Sequence, residues 1–64
     1  MSPIIIDLHD VMSLTTLSRS TIYALVKSER FPKPYRIRGT TRTAWKADEV
    51  RRWVEENIEE EGAE

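Results

Sequence analysis

Residues 17–27 read LSRSTIYALVK, and this stretch contains the clearest helix start in the chain. Ser18 is a favoured N-cap residue. Apolar side chains then recur at the spacing of one helical face: Ile22, Leu25 and Val26. Leu17, directly before the cap, is placed to pack on Ile22 as a hydrophobic staple. The stretch therefore predicts an amphipathic helix, which has to stop before Phe31 because the two prolines that follow cannot continue it.

A shorter helix is expected just before this one. The three isoleucines at 4–6 are β-branched and predict a short strand or extended arm. Asp7 can cap the following helix, with Asp10 at the capping-box spacing. One apolar face of that helix is formed by Leu8, Val11 and Met12. Since threonine is a poor helix former, residues 15–18 predict a tight turn, and the pair of helices has the spacing of a helix-turn-helix.

A β-hairpin is expected after the second helix. Two extended segments, 35–38 and 42–46, surround a turn at 39–41 that contains a glycine. Strand alternation places Ile37 and Trp45 on the inward face, and it places Arg36, Arg38 and Lys46 on the other.

The last predicted element is a third helix that begins near Ala47–Asp48. Its first turn is acidic, which the helix dipole favours. Its apolar stripe is composed of Val50, Trp53, Val54 and Ile58.

These elements predict a mainly α winged helix-turn-helix fold in a single domain over residues 1–64. The core region is expected at about 7–58, and residues 59–64 are expected to form a frayed acidic tail. The side chains expected to share one core are Leu8, Val11, Met12, Leu17, Ile22, Leu25, Val26, Phe31, Ile37, Trp45, Val50, Trp53 and Val54.

Composition argues against several function classes. The chain has 64 residues, no cysteine and one histidine, so thiol chemistry, disulfides and zinc–thiolate sites are excluded. No stretch approaches the roughly 20 apolar residues of a membrane span, and the first residues lack the basic flank of a signal peptide. We expect no enzyme activity, no metal, no cofactor and no small-molecule ligand, and we expect a cytoplasmic location with no membrane association.

Charge is strongly segregated although the net charge is only −1. Residues 1–18 carry two acids and no Lys or Arg. Residues 19–46 carry eight Lys or Arg against one Glu, a net charge of +7, and residues 47–64 carry eight acids against two Arg, a net charge of −6. A clustered basic surface of this kind is the electrostatic footprint of a nucleic-acid binder.

The basic segment contains the residues that we expect to bind DNA. With its apolar stripe buried, the second helix exposes Arg19, Ser20, Tyr23, Ala24 and Lys27. Arg and Ser suit base edges in the major groove, and Ala and Tyr suit a thymine methyl or a sugar. The hairpin adds a wing for the backbone or minor groove: Arg38, Thr40, Thr41 and Arg42. Expected phosphate contacts, which position the protein without specifying sequence, are Lys27, Lys33 and Arg36.

The combined pattern resembles the AlpA family of small prophage-type transcriptional regulators. It comprises LSRSTIY at 17–23, FPKP at 31–34, Gly39, Trp45 and the Val50-x-x-Trp53 pair. The resemblance implies a MerR-like winged helix, similar to small excisionases, with no cofactor. It also implies DNA contacts through the second helix and the wing, and it adds Thr21 to the residues named above.

One departure from the family pattern lies after the second helix. The family often has glycine there, whereas this chain has Ser28-Glu29-Arg30. If a left-handed residue is needed, Glu29 or its neighbour has to adopt it at a cost of roughly 1 kcal/mol.

The function expected from the whole pattern is sequence-specific binding of double-stranded DNA as a transcriptional regulator of a prophage or integrated element. An excisionase-like recombination directionality factor is the alternative within that class. A protein-interaction module whose basic face binds an acidic partner, such as an integrase or polymerase subunit, is the alternative from another class, and an inhibitor of a host enzyme is a remote third. Adjacent copies on DNA are also expected, with the acidic last helix and tail of one copy against the basic middle of the next.

Overall fold

A computed structural model describes residues 4–60, and within that range the chain forms three helices and three short strands. In chain order these are β1 (Ile5–Ile6), α1 (Leu8–Thr15), α2 (Arg19–Lys27), β2 (Tyr35–Arg36), β3 (Thr43–Lys46) and α3 (Ala47–Asn57). Helices α1 and α2 with the tight turn between them, followed by the β2–β3 hairpin, form a mainly α winged helix-turn-helix. The fold predicted from the sequence is therefore confirmed.

Helix α1 begins with the capping box that the sequence predicts. The Asp10 backbone N–H donates to Asp7 Oδ1 at 3.0 Å, and the Asp7 N–H donates to Asp10 Oδ2 at 3.4 Å. The hydrogen bond from the Asp10 backbone holds the pKa of the Asp7 carboxyl below its usual value, with smaller contributions from the Asp10 side chain and from the charges of His9 and Arg42 against some desolvation. The cap is therefore strongest when Asp7 is ionised.

The two helices of the motif end on residues with left-handed backbone. Thr16 closes α1 at φ 60°, and its N–H donates to the Met12 carbonyl at 2.7 Å. Glu29 follows α2 at φ 62°, with its N–H donating to the Val26 carbonyl at 3.0 Å. The Arg30 N–H donates back to the α2 carbonyl five residues earlier, at 2.8 Å, so α2 ends in a Schellman motif. The strained residue expected after α2 is therefore Glu29.

The strands form an antiparallel sheet in the order β1-β3-β2, with Ile5 opposite Lys46 and Tyr35 opposite Ala44. Gly39 at φ 85° supplies the left-handed residue of the hairpin turn. The Thr40 N–H donates to the Ile37 carbonyl at 3.1 Å across that turn. The predicted extended arm is thus an edge strand paired to the hairpin.

One hydrophobic core is shared by all three helices and the sheet. Its buried members are Ile6, Val11, Ile22, Phe31, Trp45, Ala47 and Val50. Partly buried side chains packed around them are Leu8, Met12, Leu17, Leu25, Val26 and Trp53. Ile6 and Ala47 were not among the residues expected there, because the predictions placed the core start at residue 7 and counted no alanine.

Three predictions about apolar residues are wrong. Ile37 is 37% exposed, because β2 ends at Arg36 and Ile37 already belongs to the turn beyond the core. Ile58 is 68% exposed, because α3 ends at Asn57 and Ile58 has extended backbone outside the helix. Val54 is only half-buried and lies outside the core cluster.

The predicted tail at 59–64 is described only in part. Residues 59 and 60 are exposed and lie beyond α3, whereas residues 61–64 lie outside the described residues. Among residues 4–60, no helix has the length and apolar character needed to cross a bilayer.

Candidate nucleic-acid interface

Helix α2 turns a continuous non-acidic face to solvent. Ile22 is fully buried, and Leu25 and Val26 are half-buried, so one side of the helix is held by the core. The remaining side chains are all exposed: Arg19, Ser20, Thr21, Tyr23, Ala24 and Lys27. The exposed face therefore holds every α2 residue that the sequence nominated for DNA contact, and no Asp or Glu interrupts it.

Hydroxyl groups at the start of α2 are bonded to one another. Ser18 Oγ accepts the Thr21 N–H at 3.3 Å and lies 2.9 Å from Thr21 Oγ1. Ser20 Oγ lies 3.4 Å from Ser18 Oγ. Thr21 therefore supports the helix start through its hydroxyl, while its methyl group and the Arg19 side chain remain available at the exposed N-terminal turn.

Tyr23 connects the exposed face of α2 to the hairpin. Its side chain is 43% exposed, and its ring centroid lies 6.5 Å from that of the buried Trp45 in β3, at an interplanar angle of 51°. The tyrosine thus packs partly against the hairpin tryptophan, and nearly half of its side chain remains at the surface.

Three arginines of the hairpin, Arg36, Arg38 and Arg42, are exposed. Thr40 and Thr41 are exposed beside them, and the Thr40 hydroxyl donates to the Ile37 carbonyl at 2.8 Å and accepts the Arg42 N–H at 3.1 Å. Thr40 therefore stiffens the turn that carries the arginines.

The loop between α2 and the hairpin is anchored by both tryptophans. Trp45 Nε1 donates to the Pro32 carbonyl at 2.8 Å, and Trp53 Nε1 donates to the Arg30 carbonyl at 2.6 Å. The Phe31 ring also packs edge-on against Trp53 at 4.7 Å. Lys33 is exposed directly beside these anchors, so the loop presents it from a well-held backbone.

Tyr35 is a positioning residue that the sequence did not reveal. Its hydroxyl donates to the Glu49 carboxylate at 3.0 Å, which ties β2 to the first turn of α3. Lys46 lies over the Tyr35 ring at 5.0 Å from the centroid, the arrangement of a cation–π contact. Fourteen residues separate Tyr35 from Glu49, and no local pattern in the sequence marks such a pair.

The exposed face of α3 has the opposite character. Asp48, Glu55 and Glu56 are exposed and Glu49 is half-buried, against two exposed arginines. Three concave features among residues 4–60 are shallow surface grooves of about 190 to 290 Å³. Within the same described range, no three His, Asp or Glu side chains are placed to hold a metal ion together.

Comparison with curated proteins and comparison with solved structures each yielded no match. The family model described as prophage CP4-57 regulatory protein (AlpA) matches residues 4–58, which span all three helices and the sheet. The chain belongs to the AlpA family of prophage regulatory proteins.

Proposed function

We propose that this protein binds double-stranded DNA sequence-specifically and acts as a transcriptional regulator of a prophage or integrated element. The observation that carries the proposal is the exposed, acid-free face of α2 beside a hairpin with three exposed arginines. Membership of a family of prophage regulatory proteins supports the regulatory role.

In the proposed complex, α2 enters the major groove and α1 braces it. An α-helix fits the major groove, where each base pair presents a distinct pattern of donors and acceptors. Arg19, Ser20 and Tyr23 lie nearest the base edges, and Arg19 is suited to bidentate bonds with guanine. Thr21, whose hydroxyl is bonded to Ser18, offers its methyl group to a thymine.

The hairpin serves as the wing. The wing residues lie along the adjacent backbone or in the neighbouring minor groove, where a narrow groove attracts arginine: Arg38, Thr40, Thr41 and Arg42. Thr40 keeps the wing in shape through its two turn hydrogen bonds. Lys27, Lys33 and Arg36 hold phosphates and set the register of the protein on the duplex.

The test is fluorescence anisotropy with duplexes from the DNA upstream of the gene, compared with random duplexes, over a series of salt concentrations. Six cations are assigned to DNA in total: Arg19, Lys27, Lys33, Arg36, Arg38 and Arg42. Engagement of most of them gives a slope of log K against log salt of about −3 to −5, because each neutralised phosphate contributes about −0.9.

Preference for the upstream duplex together with that slope supports the proposal. Equal affinity for random and upstream duplexes contradicts sequence-specific binding at that DNA. No binding at low salt contradicts DNA binding altogether and directs attention to a protein partner for the basic face.

A further inference from the structure

The seam between α1 and α3 leaves an apolar pair at the surface. Leu14 is 43% exposed although it lies within α1, and Val54 of α3 is half-buried. The two side chains line one shallow groove of about 240 Å³, and neither belongs to the hydrophobic core cluster. Packing in the core therefore does not explain the positions of Leu14 and Val54.

Opposite charges flank this apolar pair. The same groove is lined by Arg51 and Glu55, which lie one helical turn apart on α3. The adjacent pair, Arg52 and Glu56, has the same spacing and the same charges but lines a separate groove with Trp53. The groove between α1 and α3 thus combines two apolar side chains with one cation and one anion, and such a surface is complementary to a second copy of itself.

We propose that the occupant of this groove is a second copy of the chain, related to the first by a two-fold axis. A two-fold interface places the same patch on both subunits and so requires self-complementarity. When two α3 helices cross antiparallel at this face, Arg51 of each copy faces Glu55 of the other, and the Leu14 and Val54 side chains of both copies form the apolar centre. The self-complementary charge pattern on the groove is the reason for choosing a second copy over another partner.

This inference goes beyond the proposed function and does not depend on it. None of the four groove residues is among those assigned to DNA, so the proposed dimer and the proposed DNA complex use different side chains. A single small module buries only about 600 to 1,000 Å² of protein surface on DNA, and a dimer doubles that contact. The patch is small compared with the roughly 800 Å² per partner of a standard interface, so the dimer is weak and its population depends on concentration.

The test is sedimentation equilibrium of the whole chain without DNA, up to about 1 mM protein. We expect a reversible monomer–dimer equilibrium. Arg51→Glu or Glu55→Arg alone turns two attractions into two repulsions and weakens the dimer about tenfold. The matched controls Arg52→Glu and Glu56→Arg make the same charge changes one position away and leave the dissociation constant unchanged.

Mixing the two damaging variants tests the two-fold arrangement itself. In an equimolar mixture of Arg51→Glu and Glu55→Arg, both contacts of the mixed dimer join opposite charges, so we expect heterodimers while each variant alone is weakened. The double variant with both substitutions in one chain regains self-association for the same reason. Leu14→Glu, at an exposed position, abolishes dimerisation while the helical circular dichroism remains that of the natural chain.

Three results overturn the proposal. The first is a monomer at every concentration. The second is self-association that persists unchanged in the variants Leu14→Glu, Arg51→Glu and Glu55→Arg. The third is association beyond the dimer, which is the behaviour of head-to-tail contacts between the acidic last helix of one copy and the basic segment of the next.

Discussion

Helices α2 and α3 pack on the same core but present opposite surfaces to solvent. The fully buried residues are Ile22 in α2 and Ala47 and Val50 in α3, with half-buried neighbours beside them. On the outside, α2 carries two cations and no acid, whereas α3 carries four acids and two arginines. The inward residues of both helices therefore serve the same core, whereas the outward residues differ in charge, and on this difference we base the proposal that the two faces bind different partners.

The largest expected effect is on the shared inward side. Ile22→Ala removes most of a side chain with no exposed surface, and we expect it to lower the free energy of unfolding by about 2 to 5 kcal/mol. A domain of this size has only about 3 to 10 kcal/mol of stability, so the variant is close to unfolded. Urea denaturation followed by tryptophan fluorescence measures the change.

Lys27→Ala, on the outward face of the same helix, is the control for this prediction and changes stability by no more than about 0.5 kcal/mol. Val50→Ala in α3 is also destabilising, by less than Ile22→Ala because fewer carbon atoms are removed. Equal stability of Ile22→Ala and Lys27→Ala would show that the division between the inward and outward sides is mistaken.

The second prediction concerns the outward side. Arg19→Ala in α2 weakens binding to the preferred duplex by about 1 to 3 kcal/mol, which is roughly 5- to 150-fold, because a bidentate contact to a base is lost. Arg52→Ala in α3 removes the same side chain from the acidic helix and leaves affinity within about twofold. Fluorescence anisotropy at fixed salt checks both variants, and a larger loss from Arg52→Ala than from Arg19→Ala would reverse the assignment.

The third prediction concerns the C-terminal ends of α2 and α3. α2 ends on a left-handed glutamate, whereas α3 ends on Ile58 with extended backbone. Glu29→Gly relieves the left-handed strain at φ 62° and stabilises the fold by about 0.5 to 1 kcal/mol, after the greater flexibility of glycine in the unfolded chain is subtracted. Thermal melting is expected to shift upward by a few degrees, at about 4 to 8 °C per kcal/mol.

Ser28→Gly is the matched control for that measurement. Ser28 has φ −87°, so glycine relieves no strain there; it adds freedom to the unfolded chain and removes the hydrogen bond from Ser28 Oγ to the Leu25 carbonyl at 3.1 Å. We expect a slightly lower melting temperature for this variant. A rise with Ser28→Gly as large as that with Glu29→Gly would mean that the left-handed residue is not the source of the gain.

The smallest expected effect is at the helix that supports α2. α1 begins with an ionisable cap, Asp7, while α2 begins with the neutral Ser18. Because the pKa of Asp7 is lowered in the folded protein, its contribution to stability is fully present above the unfolded value of 3.8 and is lost as the pH falls through the lower folded value. The measurement is urea denaturation as a function of pH.

Asp7→Asn keeps a capping acceptor but cannot titrate. We expect its stability to fall less steeply below pH 3.8 than that of the natural chain, and the two curves to run parallel at higher pH. If stability falls with pH equally steeply in both proteins below that pH, protonation of Asp7 does not contribute to the loss of stability in acid.

The local features of the fold were predictable from the sequence. Ser18, Asp7 and the spaced apolar residues marked where α1 and α2 begin, since caps and stripes act within a few residues. The missing glycine after α2 indicated the strain that the structure has at Glu29. The charge segregation indicated the contrast between α2 and α3 before any geometry was known.

The long-range features were not predictable. The tryptophan hydrogen bonds to Pro32 and Arg30 span 13 and 23 residues, and their donors were expected only to fill the core. Ile37 and Ile58 fit their periodic patterns, but the elements ended one residue earlier and left them exposed. Periodicity gives the face of a residue only while the element continues, and the end of an element depends on tertiary packing.

The central claim is that α2 and the wing bind DNA while the outer face of α3 does not. Titrating ¹⁵N-labelled protein with the preferred duplex and following the backbone amide signals tests it residue by residue. We predict the largest shifts at residues 19–27 and 36–42, with the signals of Asp48, Arg52 and Glu56 nearly unchanged. Shifts concentrated on α3, with α2 and the wing unmoved, would contradict the account.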